Sequence, residues 1–329
     1  MRLMEERTIE RLGGRRVSVV GLGTWQLGAD WGEVAPQAAH AVLEASLDAG
    51  VTLLDTADVY GDGRSERFCG EIAARRKDVL VATKMGRRVE QLPENYNREA
   101  FRAWNDRSRE NLAVETIDLV QLHCPPDAVY ESDAVFAALD DMVSEGRIAA
   151  YGVSVETCAQ ALRAIERPGV ATVQIILNCL RLKPLQEVLP AARDAGVGVI
   201  ARVPLASGLL SGRYDERTTF PANDHRNYNR HGEQFDVGET FSGVPYEVGL
   251  AAVRELSRLA DPGTTLAQFA LRWVIDQPGV STVIPGARNI EQARANAAAA
   301  DLPRLRDDQL GGVRDVYDRL IREHVHAHW

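Results

Sequence analysis

The chain has 329 residues, 45% of them hydrophobic, with 38 Lys and Arg against 47 Asp and Glu and a formal net charge of −9. This balance speaks against a nucleic-acid partner, because phosphate binding needs clustered Lys and Arg. No run approaches the roughly 18 apolar residues of a membrane span, so no membrane partner is expected either.

Thr8 to Leu12, Gly13-Gly14 and Arg15 to Ser18 predict two short strands about a glycine turn, a hairpin ahead of the main sheet. Val19 to Thr24 is the first strand of that sheet. Pro36 to Ala49 predicts a helix: Val42, Leu43, Ser46 and Leu47 share a face, Pro36 suits a first turn and Gly50 a stop. Three apolar runs follow, each reaching an ionisable side chain. Val51 to Leu54 runs into Asp55, with Tyr60 a little further on; Val79 to Thr83 runs into Lys84; Ile117 to Leu122 runs into His123.

Glu131 to Glu145 predicts a helix with Val135, Phe136, Leu139, Met142 and Val143 on one face and Gly146 as its stop. Ile148 to Val153, ending at Ser154, is the fifth strand; Val170 to Ile176 is the sixth, Val197 to Ala201 the seventh and Val280 to Ile284 the eighth. Residues 211–246 carry no clear apolar period and are too long for an ordinary connection. Following the seventh strand, they are expected to hang over the active site. Glu247 to Ala260, Thr264 to Gln277 and Asp307 to about His326 read as helices, the last outside the sheet.

Eight strands alternating with helices predict an α/β fold, a (β/α)8 TIM barrel with an N-terminal β-hairpin and an additional C-terminal helix. No Ser/Gly tract or charge block marks a linker, so residues 1–329 are expected to form a single domain. Cys69, Cys124, Cys158 and Cys179 lack a Cys-x-x-Cys pair or metal-like spacing, and read as reduced thiols with no metal site. The first residues, Met1 to Arg7, lack the apolar core of a signal peptide, so a cytoplasmic location is expected.

If the strands are parallel, Asp55, Tyr60, Lys84 and His123 meet at the rim where such barrels place active sites. A phenol holds its proton to a pH near 10, and a neighbouring ammonium favours the phenolate. Lys84 is expected to make Tyr60 unusually acidic, with Asp55 fixing Lys84 and His123 orienting a substrate oxygen. Such a set can exchange a proton with an oxygen whose carbon gains or loses hydride. No side chain donates hydride, so a nicotinamide cofactor is required. A place for it follows the eighth strand, where Asn289 suits an N-cap, Gln292 a capping box, and Arg288 a phosphate.

The chain resembles the aldo-keto reductases from about Val19 to Asn296. The resemblance rests on seven stretches in order: Gly21 to Trp25, Asp55 to Gly61, Thr83-Lys84, Leu122 to Pro125, Gly152 to Ser154, Pro204 to Gly212 and Ile284 to Arg288. It implies reduction of an aldehyde or ketone, including sugars and other hydroxylated carbonyls, with Tyr60 as general acid, Lys84 and Asp55 as tuning partners and His123 orienting substrate. It implies NADPH, with NADH as the alternative, lying across the rim without a Rossmann domain. Ser154 and Gln174 would hold the carboxamide, Gly208 and Leu209 the pyrophosphate, and Arg288, Gln292 and Asn296 the adenosine end. Thr24, Trp25, Asp55, Arg202, Leu205 and Gly286 complete the expected cofactor contacts, and Trp25 and Trp31 a substrate wall.

The family pattern is broken at Val155, where an Asn is common, and at Arg202, where an aromatic ring often stacks on the nicotinamide. His225 and His231 fit solvent exposure better than a metal pair, and His324, His326 and His328 read as solvated. Partners are expected to be a small carbonyl or alcohol, with a homo-oligomer compatible. Three rival readings stand beside reduction: oxidation of a sugar or secondary alcohol, a cofactor-binding redox sensor with little turnover, and a Schiff-base aldolase using Lys84.

Overall fold

The computed structural model describes residues 4–28 and 34–329. Strands β1 (Glu6–Ile9) and β2 (Arg15–Ser18) form the antiparallel hairpin, Glu6 pairing with Ser18 and Ile9 with Arg15. The main sheet is eight-stranded: β3 (Leu22–Gly23), β4 (Leu53–Asp55), β5 (Leu80–Met85), β6 (Leu119–His123), β7 (Tyr151–Ser154), β8 (Val170–Ile176), β9 (Gly198–Arg202) and β10 (Val280–Val283), parallel in chain order. Backbone bonds from Gly21 to Val283 (2.8 Å) and from Val283 to Val19 (3.0 Å) join the first edge to the last. The expected first strand is thus shared, its start bonding to β10 and its end to β4. The (β/α)8 barrel is the fold of this chain.

The helices between the strands are α1 (Pro36–Asp48), α2 (Arg64–Ala73), α3 (Arg98–Leu112), α4 (Asp127–Glu131), α5 (Asp133–Ser144), α6 (Cys158–Ile165) and α7 (Val188–Asp194). Beyond β9 lie α8 (His225–Tyr228), α9 (Tyr246–Leu256) and α10 (Leu266–Ile275), and beyond β10 come α11 (Ile290–Ala297), α12 (Asp307–Val316) and α13 (Arg322–Val325). The helix expected over 131–145 begins later, because Ser132 is extended and caps α5 by accepting from the Val135 N–H. The final helix is interrupted by a π-helical turn at Tyr317–Ile321. His326 is not simply solvated, since its Nδ1 lies 2.8 Å from the Tyr317 hydroxyl.

Two apolar clusters divide the interior. The larger fills the layer between sheet and helices. In the smaller, Leu53, Leu80, Ala82, Leu119 and Ile200 from the strands pack with Ile9, Leu12 and Val17 of the hairpin, which therefore plugs the barrel at the strands' N-terminal ends. Successive side chains on a strand alternate faces. The face that carries Leu53, Leu80 and Leu119 into the plug therefore carries Asp55, Lys84, Gln121 and His123 at the other end. Among the described residues, no helix is long and apolar enough to cross a membrane. All four cysteines are buried free thiols.

Candidate active site

Beyond β4 the chain continues the ladder with β5, Thr56 N–H donating to Ala82 O (2.8 Å) and Asp58 N–H to Lys84 O (3.1 Å). The turn carrying Tyr60 then meets the turn after β3 at closest range. Gly61 has φ +58, and a Cβ there would sit 2.1 Å from the carbonyl oxygen of Gly28, so the approach requires glycine. That contact stacks Trp25 on Tyr60, with ring centroids 5.9 Å apart and planes 20° from parallel.

Lys84 is the centre of the site. Its buried Nζ donates to Asp55 Oδ2 at 2.6 Å, to Thr56 O at 2.9 Å and to the Tyr60 hydroxyl at 3.5 Å. The imidazole of His123 stands edge-on to Tyr60, centroids 6.0 Å apart. Asp55 Oδ1 accepts from Gln174 Nε2 at 2.7 Å and from Gln121 Nε2 at 3.3 Å. Burial opposes the ammonium of Lys84, but Asp55 and Tyr60 outweigh it and hold the group above its ordinary value. Burial also drives His123 well below the usual imidazole range, helped by Arg87, Lys84 and Arg202, so the ring is neutral.

Tyr60 differs from expectation. Burial raises its pKa, and Lys84 offsets this only in part, so the phenol is less acidic than a free tyrosine. Proximity to the ammonium is as expected; the balance is reversed because the hydroxyl is desolvated.

The remaining expected contacts are distributed around the rim. Thr24 is engaged inward, its hydroxyl donating to Asp55 O (2.9 Å) and accepting from Ser65 (2.7 Å). Ser154 ends β7 and Gln174 faces it in register on β8. Gln174 Nε2 gives its hydrogens to Asp55 and to Gln121 Oε1 (3.3 Å), which leaves Oε1 of Gln174 for a ligand. Leu205, Gly208 and Leu209 form a tight turn after β9, Gly208 having φ +90 and Leu209 being buried, so that only backbone is offered there. Gly286, Arg288, Gln292 and Asn296 gather at the start of α11, where Asn289 caps the Gln292 N–H (2.8 Å) and Asn296 Nδ2 donates to Gly286 O (3.0 Å). Gln292 Oε1 accepts from the N–H of Arg288 (2.8 Å), one residue earlier than a capping box requires. Trp31 lies outside the described residues.

Arg202 is held in a network that the sequence did not announce. Its Nη2 donates to Glu156 (2.9 Å) and to Val155 O (3.0 Å), and its Nη1 pairs with Glu239 (3.3 Å). Arg87 pairs with the same carboxylates, at 3.1 Å to Glu156 and 3.4 Å to Glu239. Burial opposes the charge on Glu239, yet Arg202 and Arg87 hold it below the ordinary carboxylate range. Cys124, Glu156 and Glu239 bring three possible ligand atoms within 4.8 Å of one another. Both carboxylates are already neutralised by guanidinium, and burial pushes the Cys124 thiol up to about 12.

His225 corrects a second expectation: it is buried, its ring 5.1 Å from Trp25 and its pKa lowered to about 4 by burial, whereas His231 is exposed. Phe235 stands edge-on to Trp25 at 6.0 Å. The polar sequence around His225 hid this, because its neighbours Asp224 and Arg226 are themselves buried as an ion pair. Gln121 had a signal, being two residues before His123 on the same face. A polar cleft of about 450 Å³ opens at the opposite end of the barrel, between Arg7 of the hairpin and Val280; Arg7 already donates to Val280 O (2.6 Å) and Ile275 O (2.8 Å) across it.

A model of the Aldo/keto reductase family matches residues 19–318. The aldo-keto reductase YhdN of Bacillus subtilis is 31% identical over 292 residues, 86% of this chain and 85% of that protein. The structure of a glycerol dehydrogenase from Gluconobacter oxydans superposes with a TM-score of 0.78 at 31% identity, covering 97% of this chain and 95% of the other. An aldo/keto reductase from Klebsiella pneumoniae in complex with NADP and acetate gives 0.69 at 26% identity, covering 95% and 96%.

Proposed function

The chain belongs to the aldo/keto reductase family, and from that premise we propose that it is an NADPH-dependent oxidoreductase that reduces an aldehyde or ketone to the alcohol, with Tyr60 as the acid. The observation that carries this is the Asp55–Lys84–Tyr60 chain, 2.6 and 3.5 Å, built on a buried ion pair and with His123 beside it.

The rim fits a dinucleotide in the acceptor it leaves open: Gln174 keeps only its carbonyl oxygen for a ligand, which suits a carboxamide N–H. Ser154 and Gln174 would hold the carboxamide, the backbone at Gly208 and Leu209 the pyrophosphate, and Gly286, Arg288, Gln292 and Asn296 the adenosine end. A bound nicotinamide supplies the hydride.

The chain's own residues do the rest. Neutral His123 can donate a hydrogen bond to the carbonyl oxygen without adding charge. Tyr60 holds its proton in the resting site and gives it to that oxygen. Lys84 then faces the phenolate, and Asp55 keeps Lys84 in place. Trp25, with His225 and Phe235 behind it, forms an aromatic wall, and residues 211–246 supply two of its three rings. Tyr60→Phe tests the reading: turnover is expected to vanish while NADPH affinity changes by less than about threefold. An active variant would end the assignment.

A second reading is the reverse reaction on a polyol or sugar. It is favoured by the likeness to the glycerol dehydrogenase and by the wall of Arg87, Glu156, Arg202 and Glu239, which offers donors and acceptors to hydroxyl groups. Comparing glyceraldehyde with propanal, and glycerol with propanol, separates the two.

A further inference from the structure

We infer that Gln121 is a positioning residue for this reaction, fixing the carboxylate of Asp55 and through it the ammonium beside Tyr60. The inference rests on the catalytic reading above and extends it by one residue.

Gln121 lies on the inner face of β6, opposite Lys84 in register and fully buried. One pleat repeat below, the same face carries Leu119 in the apolar plug. An amide in that setting is costly unless it is hydrogen-bonded. Here it closes a triangle: Nε2 donates to Asp55 Oδ1 (3.3 Å), while Oε1 accepts from Gln174 (3.3 Å), which itself donates to Asp55 Oδ1 (2.7 Å). A carboxylate has no proton to give, so the amide edge facing it must be the nitrogen in both glutamines. Oδ1 is thus held from β6 and β8, and Oδ2 from β5 by Lys84.

The arrangement has an electrostatic consequence for Tyr60. Donors on Oδ1 draw negative charge away from Oδ2 and weaken the pull of Asp55 on the lysine proton. Asp55 also acts directly against the phenolate, being one of the charges that raise the Tyr60 pKa. Removing the Gln121 donor therefore tightens Lys84 on Asp55, loosens it from Tyr60 and makes the phenol a poorer acid.

Gln121→Met keeps the length and removes the amide. The expected result is a kcat about tenfold lower, with KM and NADPH affinity within about threefold, and an alkaline limb of kcat/KM moved upward. Gln121→Glu gives an independent reading. When protonated the introduced carboxyl can donate to Asp55, and when ionised it repels it, so activity relative to wild type is expected to rise as pH falls. A glutamine that only fills space would leave kcat intact in the Met variant and give the Glu variant the wild-type profile; either result overturns the inference. Wild-type turnover measured alongside keeps the failures apart, since an inactive wild type refutes the catalytic reading, and the inference with it. If neither variant folds, a wild-type crystal structure with the Gln121 amide nitrogen turned away from Asp55 would refute it.

Discussion

Asp58 precedes Tyr60 by two residues, is fully buried, and has neither carboxylate oxygen hydrogen-bonded among the described residues. Burial, with Glu66 adding to it, raises its pKa from 3.8 to about 7, against partial relief from Arg88 and Arg107. Between these values the folded state holds a proton that the unfolded chain has lost, so stability falls as pH rises from about 4 to about 7. About three pKa units at 1.36 kcal/mol each bound the effect at about 4 kcal/mol. Asp58→Asn removes the titration while keeping the shape. Chemical denaturation of both proteins at pH 5 and pH 8 should show wild type losing a few kcal/mol relative to the variant at the higher pH. Parallel pH dependence in the two proteins would refute the argument and mean that water or a cation reaches this carboxylate.

Three other outcomes follow from the site. Because burial keeps Tyr60 protonated, kcat/KM for reduction should stay level through neutral pH and fall only on an alkaline limb, whereas alcohol oxidation should rise with pH; pH–rate profiles in both directions check this, and a reduction rate falling near neutrality would contradict it. Arg288→Ala should weaken NADPH by about tenfold, the worth of one charge-assisted hydrogen bond, and leave NADH nearly unchanged; equal losses in titrations would mean that the side chain does not touch the 2′-phosphate. Glu239→Ala leaves Arg87 and Arg202 sharing Glu156 alone and should destabilise the protein by about 3 kcal/mol in denaturant titrations, whereas an unchanged midpoint would show that solvent screens the cluster.

The parts legible in the sequence are those fixed by period and punctuation. Apolar runs ending at Asp55, Lys84 and His123 placed those groups at strand ends, and alternation alone put them on one face with Gln121. Gly61 stood in the sequence only as the end of a matching stretch, and its close approach to Gly28, which needs a residue without a side chain, shows only in the packed site. The buried ion pairs were not legible, since Arg87, Glu156 and Glu239 stand in connections whose composition looks solvated. His225 was misjudged for the same reason. A polar segment hides buried charge whenever the charges satisfy one another, and no local pattern records a partner as distant as Glu156 is from Arg87, 69 residues along the chain. The sign of the Tyr60 shift was illegible on different grounds: the presence of Lys84 was readable, but the loss of water around the phenol is a property of the packed site.

Desolvation also bears on the direction of the chemistry. Lys84 is paired with Asp55, and the two arginines at the rim face two glutamates, so the mouth of the barrel carries many charges and little net field. His123 adds none, being neutral. If Tyr60 is the acid, as proposed, the charge that develops in such a setting is the phenolate left on it, and the ammonium of Lys84, 3.5 Å from the hydroxyl, is the group placed to receive it. A site with excess positive charge would ionise Tyr60 before substrate arrived and lose its acid. A site with excess negative charge would oppose the phenolate throughout. Near-neutral compensation, with one ammonium adjacent to the hydroxyl, keeps the proton in place until an acceptor oxygen is within reach.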